Sequence, residues 1–123
     1  MRTVPDTHAY ALTLPGAYLD YPFGPTTAVL KVAARMFLLS AAGERAGSVS
    51  LKCEPYWGEA LRRDYPSIAP AWHLNKTHWI GVDLATGFDD EPPWCLTDAL
   101  VADLVDQSYT LVVARLPRRL RPV

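Results

Sequence analysis

The sequence predicts an α+β two-layer sandwich, an antiparallel sheet with helices packed on one face. Residues 47–53 alternate, with Val49, Leu51 and Cys53 to one side and Ser48, Ser50 and Lys52 to the other. That period of two marks a strand with one buried face. Val101, Leu104, Val105, Tyr109, Val112, Val113 and Leu116 recur at helical spacing, an apolar stripe long enough to need a sheet beneath it. The candidate strands before residue 54 follow one another through short connections, which imply antiparallel pairing. The order helix, four strands, helix, strand, helix then leaves a two-layer packing.

The elements follow in order. Residues 3–14 read as a short helix, with Thr3 as cap, Pro5 in the first turn and Asp6 near the positive end. Leu14-Pro15-Gly16 closes it with a turn. Strands are expected over 17–21, 27–32, 35–41 and 47–53, with Ala33-Ala34 joining the second tightly to the third. Residues 54–65 read as a helix, with Pro55 in its first turn and Pro66 as its stop. Trp57, Leu61 and Tyr65 lie on one face of it, and Arg62 and Arg63 lie off that stripe. Residues 67–77 are expected to be irregular, 78–84 a fifth strand, 85–93 a loop and 97–116 the last helix.

The chain of 123 residues is half apolar and one-fifth charged. It is therefore expected to form one domain over residues 1–123, with a core that needs neither metal nor disulfide staples. Two cysteines, Cys53 and Cys95, are too few for a disulfide framework. No apolar run approaches the roughly 20 residues that span a membrane, and no signal-like segment opens the chain. The expectation is a cytoplasmic monomer without a membrane role.

The net charge of −1 hides a segregation. Residues 1–76 balance at +2, residues 77–114 carry seven acids and no base, and residues 115–123 carry four arginines and no acid. The last stretch reads as a basic tail over 116–123 that could touch phosphate. It also reads as a helix C-terminus enriched in arginine, which the macrodipole favours.

The densest polar constellation is residues 71–79, Ala-Trp-His-Leu-Asn-Lys-Thr-His-Trp. As a metal site, His73 and His78 would need Cys53 or Cys95, at spacings that match no ligand signature. As a catalytic site, either histidine would be the base, with Lys76 or Asn75 stabilising an anion; no nucleophile elbow, zinc-protease or phosphate-loop motif accompanies them. As structure, the same side chains would satisfy backbone groups between a helix and a strand. As a nucleic-acid surface, Lys52, Arg62, Arg63 and Lys76 would converge, with Trp72 and Trp79 for stacking.

In order along the chain, several blocks resemble the MmcQ/YjbR family of small bacterial proteins. They are Leu14-Pro15-Gly16, Tyr21-Pro22-Phe23-Gly24, Met36-Phe37, Val49–Cys53 with Pro55, Tyr65-Pro66, His73–Trp79, Ser108-Tyr109 and Leu116-Pro117. The resemblance covers roughly residues 10–119. It implies a CyaY-like, frataxin-like α+β fold and a DNA-binding "double wing", in which two hairpins flank a groove. On this chain the wings would be the turns at Ala33-Ala34-Arg35 and at Gly43–Gly47.

The expected function is therefore non-enzymatic DNA binding, weak or non-sequence-specific, with no cofactor and no metal. Its expected contacts are Lys52, Arg62, Arg63, Lys76, Arg35, Arg45, Arg118 and Arg119. The alternative is an adaptor or a module for a small anionic ligand, built from His73, Asn75, Lys76 and His78.

Overall fold

A computed structural model describes residues 1–41, 46–72 and 74–123. Its element order is α1 (Val4–Ala11), β1 (Tyr18–Asp20), β2 (Thr27–Val32), β3 (Arg35–Ala41), β4 (Ser48–Lys52), α2 (Pro55–Asp64), β5 (Ile68–Pro70), β6 (Trp79–Asp83), α3 (Leu84–Gly87) and α4 (Asp98–Ala114), followed by a 3-10 turn (Arg118–Leu120). The six strands form one antiparallel sheet in the order β1-β2-β3-β4-β6-β5. The α+β sandwich read from the sequence is the fold observed.

The three longer helices, α1, α2 and α4, start on capping side chains. Thr3 Oγ1 accepts from the Asp6 N–H at 3.2 Å. The Glu54 carboxylate accepts from the N–H groups of Tyr56 and Trp57 at 3.1 and 3.0 Å. Thr97 Oγ1 accepts from the Leu100 N–H at 3.1 Å. Each satisfies donors that have no partner inside the helix. The expected stripe of α4 is buried along its length and carries Ser108 with it.

The core lies between α4 and the sheet, where Leu30, Leu38, Leu51, Ile80 and Val82 meet Val101, Leu104 and Val105. Phe37 and Tyr109 pack edge to face with ring centres 5.4 Å apart. Helix α1 is pinned to this layer by a Tyr10 O–H donated to Asp106 at 2.7 Å and by a 2.9 Å bond between His8 Nε2 and Ser40 Oγ. Helix α2 packs on the same side of the sheet, with Gly58 set closely over Ile80 and Cys53.

Two expectations need correction. Residues 67–77 contain an edge strand, β5, where Ile68, Ala69 and Pro70 pair with Val82, Gly81 and Ile80. It lacks period-two alternation because its residues after Ile68 are exposed at the sheet edge, and proline is tolerated on an edge. The loop expected over 85–93 begins with a helical turn, α3, which Asp83 starts by accepting from the Ala85 N–H at 3.0 Å.

The tight β2–β3 turn is built as the sequence predicts. Ala33 and Ala34 sit at φ +47° and +67°, the left-handed pair that matches strand twist in a two-residue hairpin. The second expected wing, with Glu44 and Arg45, lies outside the described residues. At its far side Gly47 has φ +88°, and a Cβ there would meet Ala85 Cβ at 2.9 Å. Only glycine fits both demands.

Candidate functional site

Strands β3 and β4 pair at Leu38–Leu51 and Leu39–Ser50, and their ladder stops there. A step further, Ser108 of α4 stands between them. The Lys52 N–H donates to Ser108 Oγ at 2.8 Å, and the hydroxyl donates to the Phe37 carbonyl. Ser108 is fully buried. A hydroxyl can accept from one strand while donating to the other, which no apolar side chain can do. Beside it, Gln107 Oε1 accepts from the Glu54 N–H at 2.8 Å. On its other side β3 is irregular. Leu30 pairs with Leu38 but Lys31 with Met36, which leaves Phe37 as an extra residue and bends the strand.

At this end of the sheet opens a cavity of about 200 Å³. Arg35 and Met36 reach it from β3, Lys52 from β4, Trp79 from β6, and Val112, Arg115 and Leu116 from the end of α4. Burial pushes the Lys52 ammonium below the ordinary lysine value, and repulsion from Arg115 and Arg35 pushes it further the same way. Among the described residues none of these three cations has an ion-pair partner, and no acidic side chain lines the cavity.

The helix end beside this cleft is closed by the chain that follows it. Arg121 donates through Nε to the Leu116 carbonyl and through its second amino group to the Ala114 carbonyl, both at 2.9 Å. The partial negative charge of those carbonyls is thereby matched. The expected basic tail is thus folded back along 116–121. It leaves Arg118 and Arg119 exposed in their 3-10 turn, three and four residues beyond Arg115.

The remaining candidate residues, Trp79 excepted, are outside the lining of this cleft. Arg62 donates to the Lys76 carbonyl at 3.4 Å, and Lys76 Nζ donates to the Ala71 carbonyl at 3.1 Å. Arg63 is held by its neighbour Asp64, with bonds of 3.1 and 3.3 Å, and that bond raises its guanidinium further. Asn75 Oδ1 accepts from the N–H groups of Thr77 and His78 at 2.9 and 3.3 Å, an Asx-type turn. Trp72 and His78 are exposed and Trp79 is half-buried; His73 lies outside the described residues. Trp79 links this segment to the cleft, since it is in the lining and its backbone N–H donates to the Asn75 carbonyl at 2.9 Å, whereas Arg62, Arg63 and Lys76 are not in the lining.

A second cavity, about 220 Å³, lies on the open face of the sheet, with Leu39, Ser50, Gly81 and Asp83 in its lining. Its carboxylate, Asp83, is already engaged at the start of α3. Among the described residues no three His, Cys, Asp or Glu side chains assemble as a metal site, and no helix is long and apolar enough to cross a membrane.

The sequence places Arg115 in the C-terminal arginine run, apart from Arg35 and Lys52, because periodicity assigns an arginine at that place to the solvated end of a helix; its meeting with them in the cleft carries no local signal.

The YjbR family model matches residues 12–111. The chain belongs to the YjbR family. An uncharacterized Escherichia coli O157:H7 protein, YbdF, is 37% identical over 109 residues, covering 89% of this chain and 83% of that one. Among solved structures, a Deinococcus radiodurans protein with a DUF419 domain superposes at a TM-score of 0.82 with 34% identity, over 98% of this chain and 86% of that one. A Pseudomonas syringae protein superposes at 0.68 with 24% identity, over 89% of this chain and 97% of that one, which shows the shared fold alone. The YjbR match contains Arg35, Lys52 and Trp79 but ends before Arg115.

Proposed function

We propose that this YjbR protein binds DNA weakly and without sequence preference, through phosphate contacts centred on Arg35, Lys52 and Arg115. The observation that carries the reading is the gathering of three cations in one cleft with no acidic side chain in its lining. Cations held together at a cost from their own repulsion are relieved by an anion. Arg35 follows directly on the Ala33-Ala34 turn, the hairpin that the family resemblance makes a wing. Arg118 and Arg119 extend the positive charge along the surface. Among the described residues the lining pairs Lys52 with no serine, cysteine, histidine or carboxylate, so the lysine has no partner for acid–base or nucleophilic chemistry there, and the proposed role is binding without catalysis. A net charge of −1 confines the attraction to this locality.

Fluorescence anisotropy with a generic duplex over a salt series tests this. Log affinity is expected to fall linearly with log salt, by about −0.9 for each phosphate neutralised. In an Arg35→Ala/Arg115→Ala variant the affinity drops and the slope becomes shallower. Absence of binding at low salt, or a slope that the double substitution leaves unchanged, would remove the reading.

A further inference from the structure

The cleft has a shape and a charge that bear on which phosphate it takes. It is concave, and about 200 Å³ is room for one phosphate group and part of its sugar rather than for a run of backbone. It is also over-charged for a diester. Three cations converge, whereas an internal phosphodiester carries a single negative charge. A terminal phosphomonoester carries about −1.5 to −2 at neutral pH and three acceptor oxygens. The other lining residues, Met36, Trp79, Val112 and Leu116, bring no negative charge to offset the three cations, of which Arg35 and Arg115 are exposed and open to an anion from solvent. Trp79 adds an indole at the same cleft, a ring surface for a base and one N–H donor.

We propose that the cleft seats the 5′-phosphate end of a nucleic-acid strand, in preference to an internal phosphodiester. This rests on the phosphate-binding reading above and narrows it. Lys52 and the two guanidinium groups take the terminal oxygens, Trp79 lies against the first nucleoside, and Arg118 and Arg119 meet the phosphates that follow. The acid-free run over 115–123 makes the ligand a strand rather than a lone nucleotide, because the positive charge continues past the cleft.

The test compares two single-stranded oligonucleotides of one sequence, labelled at the 3′ end, one with a 5′-phosphate and one with a 5′-hydroxyl. The phosphorylated strand is expected to bind about tenfold tighter, the scale of an added charge-assisted contact. The preference is expected to vanish in Arg35→Ala/Arg115→Ala, which changes two exposed side chains. A ratio below about threefold with salt-sensitive binding of both strands overturns this inference and leaves the phosphate reading standing. A preference that survives the double substitution overturns the placement in the cleft. Binding of neither strand at low salt overturns both. A nucleoside 5′-monophosphate that competes as well as the phosphorylated strand overturns the strand itself as ligand.

Discussion

Two groups of cations sit on this molecule, and their surroundings make them different. Arg62, Arg63 and Lys76, around α2 and the loop after β5, are held: two donate to backbone carbonyls and one grips Asp64. Arg35, Lys52 and Arg115, at the parted end of β3 and β4, have no ion-pair partner among the described residues, and both arginines repel Lys52. Residue type does not separate the groups. What separates them is whether a carbonyl or carboxylate already claims the side chain. In the first group the charges fasten a loop whose backbone would otherwise lack partners; in the second they are free for an outside anion.

The largest expected effect comes from removing the element that shapes the cleft. Ser108→Ala strips a buried donor and acceptor from the Lys52 N–H and the Phe37 carbonyl. Leaving them unpaired should cost about 2–3 kcal/mol in urea unfolding. A loss under about 0.5 kcal/mol would mean that the strands close and re-form their own bond, and that Ser108 is not what holds them apart.

Next comes the comparison of charges. Arg35→Ala/Arg115→Ala should weaken oligonucleotide binding by about tenfold or more at low salt, roughly 1.4 kcal/mol or above. Arg62→Ala/Arg63→Ala, which removes the same formal charge, should weaken it by less than about twofold, because those side chains are engaged and lie elsewhere. Equal losses in the two variants would dissolve the distinction between the groups.

The held region has its own test. Asn75→Ala removes the acceptor for two backbone N–H groups, both solvent-exposed. Water replaces it in part, so the expected cost is about 1 kcal/mol of stability with DNA affinity unchanged. A parallel loss of affinity would instead bring the Asn75 turn into the binding surface.

The same distinction marks where the sequence was legible. The stripe of α4 and the paired alanines of the β2–β3 turn are local patterns, and each appears as expected. Strand β4 forms as expected, but Ser50 is buried between Val49 and Leu51, so burial along it does not alternate. The three residues of β5 are not a local pattern. Their pairing is imposed by β6, and Ala69 and Pro70 have no strand preference of their own. The cleft was half legible. Arg35 and Lys52 stand among the expected contacts, yet the sequence groups Lys52 with Arg62, Arg63 and Lys76, on the expectation that the start of α2, strand β4 and residues 71–79 lie side by side. The neighbour that matters, Arg115, comes from a helix that reaches this end of the sheet through Ser108. Nothing in the spacing of residues 35, 52 and 115 reveals that meeting; it follows from where a single hydroxyl parts two strands.

The smallest expected effect is a pH dependence that sets binding against stability. Burial, then Arg115 and Arg35, hold the folded Lys52 ammonium below its ordinary value of 10.5. As pH rises through the lowered value toward 10.5, the unfolded chain keeps a proton that the folded chain has lost. The unfolded state then binds more protons, so this group's contribution to stability rises with pH. Binding of an anion needs the charged form, so affinity should fall across the same window. A change in which only one of three charges leaves is modest, and Lys52→Gln should flatten both trends. Tyr10, bonded to Asp106 and pushed up to about 12, loses its stabilising contribution only above its ordinary value of 10.0, as pH climbs from there through the raised one. Stability and affinity measured together from neutral pH to about 10, near the ordinary lysine value, should therefore move in opposite directions. If they fell together, with Lys52→Gln unaffected, the loss would belong to the fold as a whole and the cleft lysine would have no part in holding the phosphate.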